Sequence, residues 1–98
     1  MAEINFNYER AIQQAERLEV LSVRLKRVAG QDMERLLNAT RRTWQSESAP
    51  SYLRKGEKVE AEIQAMADEL KKTARKIRTI AEQVRAAEME ARRIANEY

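Results

Sequence analysis

The chain has 98 residues, 43% hydrophobic and 36% charged, with two glycines, one proline, one Trp, one Phe, no cysteine and no histidine. That composition describes one small domain with almost no loop material, and too few large aromatics to fill a thick core. Without Cys there are no disulfides, thiolate nucleophiles or zinc-thiolate sites; without His the usual general base and the Glu-x-x-His iron ligands are gone. Enzymatic activity and a bound cofactor or metal are therefore not expected. The net charge of +3 comes from 19 basic and 16 acidic residues interleaved along the chain, as on solvated helix faces. No apolar run is long enough for a membrane span, and the polar start from Met1 to Arg10 does not resemble a cleaved leader.

The first predicted element is a helix over about residues 7–43, rich in Ala, Leu, Glu, Arg and Gln and free of proline. Asn5 or Asn7 is positioned to cap its start, with Glu9 in the first turn. Gly30 and Asp32 are the weak points, but a continuous helix is the expectation. Its apolar residues cluster at Ala11, Ala15, Leu18, Leu21, Ser22, Leu25, Val28, Ala29 and Leu36, with Asp32 falling on the same stripe. Ile12, Val23, Met33 and Leu37 project to one flank, giving the helix a second apolar side.

Residues 44–51 are predicted to turn, because Ser46, Ser48 and Ser51 gather there with the only proline, Pro50. Helix capping explains these serines better than nucleophilic chemistry, for which no suitable base exists; Ser48 is the expected cap ahead of Ala49 and Pro50. The second helix is expected over about 52–97. Steps of three and four from Val59 reach Ile63, Met66, Leu70, Thr73, Ile77, Ile80, Val84, Ala87, Ala91, Ile94 and Tyr98. This 3.5-residue repeat is what keeps a stripe facing a partner helix. Ala67, Ala74 and Ala81 lie beside it and widen it with side chains small enough for close approach.

A connection this short predicts an all-α antiparallel helical hairpin, with arms about 55 to 70 Å long at ~1.5 Å per residue. Two rods cannot cover both apolar sides of the first helix, so association into a four-helix bundle dimer is expected. The expected association seam comprises Leu18, Leu25 and Leu36 on the first helix and Ile63, Met66, Leu70, Ile77, Ile80, Val84 and Ile94 on the second.

Other clusters read more plainly. Glu16 with Glu19, and Glu57 with Glu60, could offer paired carboxylates to a metal, but nearby Arg and Lys make ion pairing the better reading. Lys71, Lys72, Arg75, Lys76 and Arg78 form a basic run without interleaved aromatics or a glycine-rich loop, and acidic residues flank it. It reads as a solvated face, and nucleic acid is not an expected partner. Trp44 at the bend either packs over Tyr52 and Leu53 or anchors another protein, two roles that one site can combine.

Two helices of similar length meeting at a bend, with the segment Thr43-Trp44-Gln45-Ser46-Glu47-Ser48-Ala49-Pro50-Ser51-Tyr52, resemble the WXG family of small ESAT-like proteins of type VII secretion systems. Trp44 stands at the family's Trp position, Tyr52 at its aromatic position, and Ser46 where the family has Gly. The resemblance covers essentially the whole chain. It implies homo- or heterodimeric four-helix bundles, and export from the cytoplasm in folded form without a cleaved signal peptide. It further implies a larger effector and the secretion ATPase as partners. The Tyr-x-x-x-Asp/Glu signal that many members carry after the second helix is not found here. The alternative on the same residues is a cytosolic coiled-coil adaptor or chaperone-like binding module.

Overall fold

The structure is a computed structural model that describes residues 7–97. It is all-helical, with no strand among the described residues. Helix α1 spans Tyr8–Arg27, a π-helical turn spans Val28–Met33, α2 spans Glu34–Thr43 and α3 spans Ala49–Asn96.

Asn7 starts α1: its backbone is extended and its side-chain oxygen accepts from the Arg10 N–H at 3.0 Å, satisfying one otherwise orphaned donor. Asn5, the other candidate cap, lies outside the described residues. The expected continuous first helix keeps its helical path through Gly30, but not its hydrogen-bond pattern. Over Val28–Met33 the pattern widens to the π type, which fits one extra residue into a turn.

Helix α2 stops where Trp44 turns extended (φ −103°, ψ 109°), and the Trp44 N–H still closes onto the Thr40 carbonyl at 2.8 Å. Arg41 and Arg42 in the last turn suit the negative end of the helix dipole. Helix α3 then begins at Ala49, three residues earlier than expected, because Pro50 fits the first turn, where no backbone donor is needed. Ser48 occupies the cap position but does not cap through its side chain; its hydroxyl lies 3.0 Å from that of Ser46.

Helix α3 runs beside the α1–α2 arm. Partners recede along α3 as that arm advances: Tyr8 meets Glu82, Glu19 meets Arg78, Lys26 meets Asp68 and Arg41 meets Glu57. The outline is a rod of 79 × 18 × 17 Å with a radius of gyration of 22.3 Å. A compact chain of this length would have a radius of about 13 Å.

The contact line between the arms consists of small residues. Ala15, Ala29, Ala67, Ala74 and Ala81 are fully buried, Ser22 is nearly so, and among the described residues no large side chain is. The approach is close enough for the Ser22 hydroxyl to donate to the Ala67 carbonyl of the opposite helix at 2.7 Å. Along the first arm the buried positions are Ala15, Ser22 and Ala29, each seven residues after the last, and then Leu37 after eight. The π turn absorbs the extra residue. Leu37, expected on a flank, is 3% exposed, while Leu36, expected on the seam, is 59% exposed.

Candidate association surface

A helix advances by about 100° per residue. On that spacing Leu18, Leu21, Leu25 and Val28 lie to one side of the Ala15–Ser22–Ala29 line, and Glu19 and Lys26 to the other. On α3, Met66, Ile77, Ile80 and Val84 lie to one side of Ala67–Ala74–Ala81, and Asp68, Arg78 and Glu82 to the other. Lys26 pairs with Asp68 at 3.1 Å and Arg78 with Glu19 at 2.5 Å, so the charged flanks share one face of the rod. The apolar flanks must share the opposite face.

The charged face is laced across the helix pair. Arg78 donates through both Nε and Nη2 to one oxygen of Glu19, and that hydrogen bond raises the guanidinium pKa above its ordinary value. The Arg85 guanidinium lies 4.5 Å from the centre of the Tyr8 ring, and the Tyr8 hydroxyl donates to Glu82. Glu19 and Glu57, members of the two carboxylate pairs, are engaged by Arg78 and Arg41. Among the described residues no group of three possible metal ligands occurs. In the basic run, Lys72 pairs with Glu69 at 3.7 Å and Arg78 with Glu19. No described helix is long and apolar enough to cross a membrane.

The apolar face holds most of the expected seam. Leu18, Leu25, Ile63, Leu70, Ile77 and Val84 are half-buried beside the alanine line. Met66 and Ile80, at 58% and 54% exposure, stand outside them in solvent. Leu36 joins this exposed set, as do Leu21 and Val28 of the first helix's apolar stripe and Val59 at the start of the second's. Ile94 is also exposed, near the far end of α3. The signal for the inner contact was present in the sequence as the seven-residue spacing of small residues, Ala15, Ser22 and Ala29 against Ala67, Ala74 and Ala81.

At the bend, Trp44 and Tyr52 meet edge to face, with ring centroids 5.0 Å apart and planes at 60°. Both rings keep an exposed side. Ser46 is exposed, and no described residue has a positive φ, so the turn needs no glycine at that position. The three motif residues are thus gathered at one end of the rod, while the seam residues run along one face. No family model, curated protein or solved structure matches this chain.

Proposed function

We propose that this chain is a non-enzymatic association module: an antiparallel helical hairpin that docks its apolar face on another helical hairpin to form a four-helix bundle. In this reading it is a WXG-like substrate, partner or adaptor of a type VII secretion system. It is made in the cytoplasm, exported without a cleaved signal peptide, and works with a larger effector and the secretion ATPase. The main support is the apolar flank running from Met66 to Val84 on α3, interrupted by Thr73, and from Leu18 to Val28 on α1, left half-buried or exposed by a chain whose own contact line uses mostly alanines. Covering such a flank is favourable in proportion to the area removed from water. The Trp44–Tyr52 pair supports the family reading, because it fixes an exposed indole at the tip of the rod, where a partner can reach it.

Two measurements test this. Light scattering of the purified chain and of Ile77→Asp, with any second short helical chain encoded beside it, tests the association. The substitution places an unpaired charge in the docked seam and is expected to abolish the complex; an unchanged complex mass refutes the surface. Export is tested in culture supernatant with and without the secretion ATPase, where equal amounts in both refute secretion. Trp44→Ala is expected to keep its helicity and lose release.

A second reading, a cytosolic adaptor or chaperone-like hairpin, draws support from Ser46, which departs from the family's Gly in a turn with no left-handed residue. It predicts retention in the cytosol with a client and indifference to the ATPase.

A further inference from the structure

The outer edges of the apolar face carry charges that discriminate between partners. On α1, Arg10, Arg17 and Arg24 recur every seven residues along the margin beyond Leu18 and Leu25, all exposed. Among the described residues none of the three takes part in an ion pair. On α3 the corresponding margin carries Glu62, Glu69, Lys76 and Gln83. When two helix pairs dock face to face, the margin of each helix meets the margin of the helix opposite.

A second copy of this chain leaves arginines of this margin without carboxylates in either orientation. Docked end for end, α1 opposes α1 and the arginine margin meets itself; α3 then opposes α3, where Glu69 can meet Lys76 but no carboxylate reaches the arginines. Docked in the same direction, α1 opposes α3 at the same height. That height is fixed within one chain by the Lys26–Asp68 and Glu19–Arg78 pairs. Arg24 then meets Glu69, Arg17 meets Lys76 and Arg10 meets Gln83: one attraction, one repulsion and one neutral contact. A helix bearing carboxylates at seven-residue spacing would satisfy all three arginines at once, and like charges facing one another are the ordinary means of excluding a wrong partner.

We propose that the apolar face is built for a different chain, a helical partner whose margin opposite α1 is acidic, and that the arginine margin disfavours self-pairing. This rests on the association reading above and names the chemistry of the partner.

The test uses a surrogate acidic partner made from the chain itself, Arg10→Glu/Arg17→Glu/Arg24→Glu, with Arg10→Gln/Arg17→Gln/Arg24→Gln as the neutral variant. Circular dichroism checks that each is folded. Sedimentation equilibrium then measures every self-pair and mixed pair. At low salt, the wild-type chain mixed with the Glu variant is expected to associate about tenfold more tightly than the wild type with itself. The gain should vanish at about 1 M salt, where the Debye length is about 3 Å. The Gln variant should self-associate more tightly than the wild type. If the Glu variant does not fold, this last comparison decides alone. A wild-type dimer as tight as the mixed pair and insensitive to salt, or a Gln variant no tighter than the wild type, overturns the acidic-partner inference and leaves the association reading standing. Absence of any association, alone or mixed, at concentrations on the order of tens of micromolar overturns both.

Discussion

A methyl group added to Gly56 would lie 2.5 Å from Cδ2 of Leu37, so the glycine on α3 is the notch that receives this large side chain buried between the arms. Two opposing terms meet there. Alanine gains about 1 kcal/mol of helix propensity over glycine, and displacing a packed Leu costs about 1–3 kcal/mol. Gly56→Ala is therefore expected to destabilise by about 1 kcal/mol, lowering Tm by roughly 4–8 °C. Gly30, where an added methyl group would meet nothing within 4 Å, is the control. Gly30→Ala is expected to stabilise by about 0.5–1 kcal/mol. In a Leu37→Ala background the sign at Gly56 should reverse; a Gly56→Ala cost that persists there would show that Leu37 is not its cause.

The alanine line, more than the large apolar flank, sets how closely the arms approach. Ala74 is fully buried at the middle of that line. Ala74→Leu is expected to push α1 away, break the Ser22–Ala67 hydrogen bond and cost about 2 kcal/mol or more. Ile80, more than half exposed, should tolerate Ala within about 1 kcal/mol in the dilute chain. Urea titrations of the two variants give the order directly, and a larger loss at Ile80 would contradict the packing.

Near the end of α3, Arg93 donates to both oxygens of Glu90, at 3.0 and 2.6 Å, and to Glu97. The bond from Arg93 holds the Glu90 carboxyl below its ordinary pKa. A carboxyl whose pKa is depressed in the folded state stabilises that state above its unfolded pKa, and the contribution is lost as pH falls through the folded value. The last turns of α3 are thus expected to fray on acidification, later than an unpaired glutamate would allow. Following the Glu90 carboxyl carbon by NMR should give a midpoint below that of exposed glutamates, and Arg93→Gln should restore it; an unmoved midpoint in that variant would remove Arg93 as the cause.

The helices and the bend were legible in the sequence because helix formers fill both arms and Pro50 sits with the serines between them. The apolar stripe on α3 was legible as a 3.5-residue repeat. Its centre was not: a stripe three or four residues wide does not reveal whether Ala67 or Met66 faces the neighbouring helix, since that depends on how closely the axes approach. At the bend, the residue types gave Trp44 and Tyr52 as neighbours, but Ser48 offered two hydrogen-bonding choices, and the hydroxyl of Ser46 won over the helix end. The π turn left the faintest trace of all. It is written only in an interval of eight between Ala29 and Leu37, and Leu36 satisfies the interval of seven equally well on paper.

That interval can be tested by removing a residue. Deletion of Gln31 from the π turn would bring Ala29 and Leu37 to the seven-residue spacing of the rest of the line, allowing ordinary α-helical bonding through Val28–Met33. The shortened chain is expected to melt at the wild-type temperature or higher, with stronger hydrogen-exchange protection across the former π turn. Deletion of Arg17, between Ala15 and Ser22, should behave in the opposite way. It rotates everything after it by about 100°, swinging Ser22, Ala29 and Leu37 off the contact line. A loss of several kcal/mol follows, large beside a total stability of about 5–15 kcal/mol for a domain. If the two deletions melted equally low, the π turn would be a required element of the arm and not an adjustment of its register.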